Sequence, residues 1–381
     1  MLHGTEGWMP GGSGGEESPE SEEPTISRRV ISGKWLVPRQ GTNLGLPIIY
    51  GTRRTGGILF YQEVSADNNI LYRKYALAEG VQQAWTMYVN KVSYTSSKYY
   101  NATEAERHID SNIYLGSDTG TNHDGGAAWT SSHACKGIAF HSVNFVYDAE
   151  KRVDANKFEE EPFFEALPEI LFEMTGKAIT DNSSVSKDSD DPAWVLYEYL
   201  TNSRYGAGLT AAQIDTTSFA TASTICADTN STSPAVKQYA ANIILDPLAS
   251  LMTNIKRILA TCNGRLHWID GKYYLHIDDE FSGTAAFAFE EKHILGGISI
   301  FGNSKNERTN QVTAKFVNPN LSWKEDEVSW PAANHDENED GDSDIGTLYN
   351  SYLSEDKEVP LRKTINLGGV TNFNQARFLA K

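Results

Sequence analysis

The sequence predicts a mainly β protein with some α-helix, and three observations lead there. Short apolar runs enriched in β-branched and aromatic residues recur between Gly and Asn punctuation over residues 31 to 90. Helical spacing of apolar residues shows most clearly in two runs between Asp190 and Gly264. Directly after the second run, Asp270 and Gly271 stand between two aromatic-rich stretches, the pattern of a two-residue hairpin turn.

Residues 1 to about 27 hold Gly, Ser, Pro and the acidic stretch GGEESPESEEP, with almost nothing to bury. Ordering them would cost backbone entropy without return, so they read as a flexible arm. The runs LGLPIIYGT, GGILFYQEV and AWTMYVNKV follow as strands. Residues 95 to 135 turn polar and Gly-rich, the mark of a loop-decorated lobe. Then FHSVNFVYDAE sets His141, Val143, Phe145 and Tyr147 on one side against Ser142 and Asn144 on the other, as in a half-buried strand.

In DDPAWVLYEYLTNSRYGAG, Asp190 or Asp191 can cap a helix and Pro192 suits its first turn. Trp194, Tyr197 and Leu200 share one side, and Gly206 marks the stop. A second helix fits LDPLASLMTNIKRILATCNG through the stripe Leu248, Leu251, Ile255, Ile258 and Leu259, with Gly264 past its end. RLHWIDGKYYLHIDD is the hairpin, the remainder from GGISIF to EVSW returns to strands and turns, and NQARFLAK looks like the beginning of a helix. No internal repeat is visible.

A chain of 381 residues suits two or three domains and can bury a sizeable core. No uninterrupted apolar run approaches the ~18 to 20 residues that cross a bilayer. Asp and Glu total 50 against 33 Lys and Arg, a formal charge of -17, which opposes nucleic-acid affinity gained by counterion release. A nucleic-acid-processing enzyme is therefore disfavoured. Cys135, Cys226 and Cys262 are an odd number without CxxC spacing and read as reduced, mostly buried thiols. The opening MLHGTEGWMPGGSGG lacks the charged start and apolar core of a signal peptide, so nothing marks the chain for secretion.

Several strings imitate active or binding sites. GGSGG at Gly11 to Gly15 matches a nucleophile elbow in letters, but Ser13 lacks the strand before it and the helix after it. His133, Cys135 and His141 lack a second pair spaced for a tetrahedral metal and read as packing residues. Glu159, Glu160 and Glu161, with Asp278, Asp279 and Glu280, could supply the two carboxylates of a glycosidase, though solvated loop acids are the default reading. In DENEDGDSD, Asp336, Asn338, Asp340 and Asp342 occupy positions 1, 3, 5 and 7 of a calcium loop, with Gly341 at 6 and Asp344 at 9. Position 12 falls on Thr347 instead of a bidentate Glu, which favours a solvated loop. No Walker loop, dinucleotide fingerprint or zinc-protease helix is found.

Five strings stand together in a familiar order: GLPIIYGTRRTGGILFYQ at 45 to 62, WTSSHACKGIAFHSVNFVYD at 129 to 148, DDPAWVLYEYLTNSRYGAGL at 190 to 209, NIKRILATCNGRLHWIDGKYYLHID at 254 to 278 and NERTNQVTAKFVNPNLSWKEDEVSWP at 306 to 331. In this the chain resembles the tail tip attachment, or central tail hub, family of long non-contractile phage tails, the lambda J type. The resemblance implies a structural virion protein at the distal end of the tail, with no catalytic residues, no cofactor and no metal. It implies β-barrel hub domains of tube type with an inserted peripheral lobe and two connecting helices.

On that pattern residues 1 to 27 are the arm and 28 to 185 a first β-rich hub domain whose lobe spans about 95 to 185. Residues 186 to 262 are a helical connector and 263 to 381 a second β-rich hub domain, cut short at its C-terminus. Trp194, Tyr197, Leu200, Leu251 and Ile255 would pack the helices, while His267, Trp268 and Tyr273 to Leu275 form a hairpin in a barrel wall. The implied partners are two further copies in a homotrimer, distal tail and tip hub proteins, the tape measure protein, fibres, and passing phage DNA without specific binding. Family members usually continue well beyond the position matching Lys381, so the chain reads as a fragment or one half of a split hub, meeting a host receptor only indirectly. The alternative from a different class is a β-rich carbohydrate-active protein, a glycosidase or a calcium-assisted glycan-binding module.

Overall fold

The computed structural model describes residues 35–41, 43–80, 82–100, 108–116, 128–130, 133, 135–147, 166–229, 236–278, 287–294, 296–297, 299, 308–332 and 345–381. The N-terminal half is β: β1 (Ile48–Tyr50), β2 (Thr52–Thr55), β3 (Ile58–Val64), β4 (Ile70–Glu79), β5 (Gln82–Val89), β6 (Val92–Ser93), β7 (Ile109–Tyr114), β8 (Ile138–Val146), β9 (Ile170–Lys177), β10 (Ile179–Thr180) and β11 (Ser186–Lys187). Helices α1 (Pro192–Thr201) and α2 (Thr216–Ala227), strand β12 (Ile243–Leu245), helix α3 (Leu251–Leu259) and hairpin strands β13 (Gly264–Ile269) and β14 (Lys272–Ile277) follow. The C-terminal part holds β15 (Gln311–Asn318), β16 (Lys324–Trp330), α4 (Ile345–Glu355), β17 (Arg362–Asn366) and α5 (Phe373–Ala380).

Three apolar cores organise these elements. The first lies between the sheets β3-β4-β8-β7 and β2-β9-β5-β6, and is filled by Tyr75, Leu77, Trp85, Met87, Phe145 and Phe172. The second gathers α1, α2, α3 and the hairpin around Trp194, Leu200, Phe219, Ile258 and Leu275. The third sits between α5 and the sheet β16-β15-β17, in which β15 and β17 run parallel.

The two-stranded pair β1 and β12 is a wall common to the first two cores. Ile48, Tyr50, Ile243 and Leu245 point into the helical core, whereas Ile49 and Ile244 point into the sandwich. Side chains of a strand alternate faces, so a strand buried on both sides must be apolar at every position. That is why the string PIIY carries no polar alternation.

Helix α1 begins as the sequence indicates, with Asp191 as the cap: its carboxylate accepts from the amides of Ala193 and Trp194 at 3.0 and 3.4 Å. The same carboxylate accepts from Ser223 Oγ on α2 at 2.5 Å, tying the start of one helix to the side of the next. The helix ends at Thr201, five residues before Gly206. The loop beyond it folds back, and the amides of Ala207 and Leu209 take the carbonyls of Tyr199 and Leu200 left open at the helix end. Gly206 serves this fold-back, because a Cβ there would stand 1.8 Å from the Tyr199 oxygen. It is a close-approach glycine and not a helix terminator.

Other expectations are corrected. Helix α3 starts at Leu251 under a Ser250 cap, so Leu248 lies outside it, 72% exposed, and Leu251 points largely to solvent. The buried stripe narrows to Asn254, Ile255 and Ile258. Helix α2, Asp215-capped, was not anticipated, because TTSFATASTICA is rich in residues of modest helix propensity. Its buried Phe219, Ala222 and Cys226 supply a thin but real helical period.

The predicted half-buried strand is β8, and it is buried on both faces. Ser142 is covered by the fully buried Lys74, whose ammonium donates to Ser142 Oγ at 2.9 Å beneath the Trp129 ring. Residues 95 to 185 supply β7, β8, β9 and β10 among the described residues. β8 and β9 are interior strands paired to β4 and to β2 and β5. The hairpin forms with the expected turn, Asp270 and Gly271 both at positive φ (48° and 80°). It packs through Leu275 and Ile277 on the helical core and forms a separate two-stranded sheet among the described residues. Among the described residues no sheet closes on itself.

Candidate functional site

Three features distinguish the molecule: a partly buried ionic cluster, a basic cavity and exposed apolar projections. The ionic cluster forms where β9, α1 and β1 meet. Glu198 accepts from Lys177 Nζ at 2.7 Å, Tyr205 Oη at 2.7 Å and Asn202 Nδ2 at 3.0 Å, and also from the buried Tyr50 hydroxyl. Burial would raise the Glu198 carboxyl, but the Lys177 charge and these donors outweigh it and hold the group below its usual range. Tyr50 and Tyr205 are pushed far above the usual phenol range, first by burial and then by the adjacent carboxylate. Both carboxylate oxygens accept from donors that the fold itself supplies, three at Oε1 and the Tyr50 hydroxyl at Oε2. The cluster reads as a rivet between sandwich and helices and not as a site for a substrate.

The basic cavity, about 500 Å³, opens where Trp35, β2, α3 and the loop from Asn366 to Gly369 meet. Arg53, Lys256 and Arg257 line it together with Thr253 and Thr261, and among the described residues its lining includes no Asp or Glu. Arg53 is 2% exposed and donates through Nη1 to the carbonyls of Asn242 and Gly368 at 3.2 and 3.1 Å. Burial lowers its pKa to about 10 with no carboxylate opposing the shift. Lys256 and Arg257 stand exposed on the last turn of α3 and form no ion pair among the described residues. Three uncompensated cations share one concavity in a chain of formal charge -17.

The projections are the hairpin end, where Trp268 is 54% and Ile269 52% exposed, and the start of α3, where Met252 is 57% exposed beside Leu248 and Leu251. The outer edge of β13 carries no further strand among the described residues. Exposed aromatic and aliphatic side chains next to a free strand edge are features of surfaces that other chains cover.

The sequence candidates are scattered. His141 accepts from Trp85 Nε1 through Nδ1 at 2.8 Å, while His133 stacks on Trp129 and receives the Thr130 amide at 3.0 Å. Among the described residues no three His, Cys, Asp or Glu side chains gather as a metal would need. Burial raises the Cys135 thiol, partly offset by Lys74. Cys226 is raised as well, first by its hydrogen bond with Cys262 and then by burial. Asp278 is ion-paired with Arg265 on the hairpin surface. Ser13, Glu159 to Glu161, Asp279, Glu280 and the loop Asp336 to Asp344 lie outside the described residues. The basic cavity was missed because its three cations come from positions 53, 256 and 257, which no local pattern links.

No family model matches the chain. Over 285 residues, 68% of this chain, it is 24% identical to the baseplate hub protein pb3 of Escherichia phage T5, and the match spans 26% of that protein's length. Among solved structures, a chain of the virion of a native gene transfer agent particle shares the fold with a TM-score of 0.57. That likeness covers 90% of this chain and 72% of that one at 12% identity. The resemblance to phage tail hub proteins drawn from the five sequence strings is thus met again by an aligned relative and by a shared fold.

Proposed function

We propose that this chain is a structural virion protein, the hub at the distal end of a phage tail, whose work is mechanical fit and not catalysis. The observation that carries the reading is that the described sheets stay open and the apolar projections uncovered, in a chain whose sequence aligns with a baseplate hub protein over 68% of its residues. Three copies would close around a common axis, because closed cyclic symmetry hides strand edges that would otherwise aggregate. In that arrangement the hub closes the tail tube, holds neighbouring tip proteins and fibres, and forms part of the channel through which DNA is ejected. The excess of acids, 50 against 33, suits such a channel, since an acidic lining does not hold a polyanion in transit.

The test is mass spectrometry of purified particles with native size measurement of the isolated protein. The polypeptide is expected in the tail fraction, in a copy number divisible by three. Recovery from infected-cell lysate alone, with none in virions, would sink the proposal. Replacing Trp268 and Ile269 by Glu is expected to abolish incorporation while lowering the unfolding midpoint only slightly, because both side chains are half exposed in the isolated chain and the main packing lost is the Trp268–Tyr273 pair.

A further inference from the structure

We propose that the basic cavity is the docking site of this chain's own acidic arm, the segment EESPESEE at residues 16–23. Among the described residues the cavity gathers Arg53, Lys256 and Arg257 with no acid in its lining, and the buried Arg53 guanidinium meets two backbone carbonyls but no carboxylate. A concavity of about 500 Å³ admits whole side chains, where one water occupies only about 30 Å³. Its natural occupant is a carboxylate-bearing peptide.

Position selects which peptide. Trp35, the first described residue, is itself part of the cavity wall, so the chain that precedes it starts from the rim. Glu16, Glu17, Glu20, Glu22 and Glu23 form the acidic run, and the last of them is twelve residues from Trp35, a reach of up to about 40 Å. Arg28, Arg29 and Lys34 stand between the acidic run and Trp35 in the sequence. The other acidic run, Asp336 to Asp344, is flanked by Pro331 and Ile345, neither of which lines the cavity. Glutamates at the cavity would neutralise its cations where solvent is partly excluded, and there each pair is worth more than on an open surface.

The experiment compares the full chain with a full-length variant carrying Gln at all five glutamates, using hydrogen exchange of amides 256–261 and 366–369. The five positions are acids in a stretch with almost nothing to bury, so the substitutions are expected to leave the three cores intact. Exchange is expected to be about tenfold faster in the variant, since the ion pairs that hold the arm on the cavity are lost. The native chain in about 1 M salt should move the same way, because the screening length falls to about 3 Å. Equal exchange in the two chains overturns the proposal. A second measurement mixes 14N and 15N chains and couples Lys256 to glutamates with a zero-length carbodiimide. Links within one isotope class support the docking. Links of mixed class, showing a second copy's arm, or links in particles to an acidic segment of another tail protein, overturn it.

Discussion

His141 makes the first core sensitive to acid. The imidazole is 1% exposed, and its Nδ1 accepts from Trp85 Nε1 at 2.8 Å. An indole nitrogen only donates, so Nδ1 must stay unprotonated and the ring hydrogen resides on Nε2. A second proton would force two donors against each other inside the sandwich. Burial accordingly lowers the His141 pKa from 6.5 to about 3.

The folded value lies below the unfolded one, so the full stability is present above about pH 6.5 and is lost as pH falls toward 3. Linkage gives a loss of about 2 kcal/mol at about pH 5 relative to pH 8. The assay is native-state hydrogen exchange of the β8 amides at those two pH values, converted to opening free energies, in the native chain and in His141→Gln, whose amide oxygen can still accept from Trp85. Carboxylates common to both proteins cancel in the comparison. The native chain should lose about 2 kcal/mol more than the variant on acidification. An equal loss in both would refute the neutral, acceptor role of His141.

Glu198→Ala strands the Lys177 ammonium and the Tyr50 hydroxyl and should cost about 3–5 kcal/mol in urea unfolding. Lys177→Met combined with Glu198→Gln should cost less than the sum of the single changes, and strict additivity would contradict the rivet. Because the Glu198 carboxyl is held below 4.5, its contribution persists above about that pH and fades as pH drops through the folded value. Gly206→Ala should destabilise the chain by at least about 2 kcal/mol, measured as a lowered unfolding midpoint, because the added methyl meets backbone oxygen at 1.8 Å. A variant of unchanged midpoint would show that the loop is free to shift.

Covering the basic cavity with the acidic arm has a consequence for assembly. A partner seeking that surface must present carboxylates that outcompete residues 16–23, which are tethered and so present at high effective concentration. The hairpin end, by contrast, is already open. The two surfaces therefore differ in what they require of a partner: displacement at one, simple burial at the other.

Local chemistry was legible in the sequence wherever a rule spans only a few residues. The Asp191 cap with Pro192 behind it, the Asp270-Gly271 turn and the apolar strands near the N-terminus are set by neighbours along the chain, and they form where the letters place them. The order of the five strings carried the likeness to tail hubs. Tertiary structure decided what no short window contains. Leu248 is left outside by the Ser250 cap, Gly206 is required by a carbonyl from the preceding helix, and Ser142 is buried because Lys74 reaches it from 68 residues away. The basic cavity joins positions 53 and 256, and the Glu198 cluster joins 50, 177 and 198. Backbone propensity and turn chemistry act over a few bonds, whereas burial and charge act through space, so only the folded chain fixes which polar groups meet.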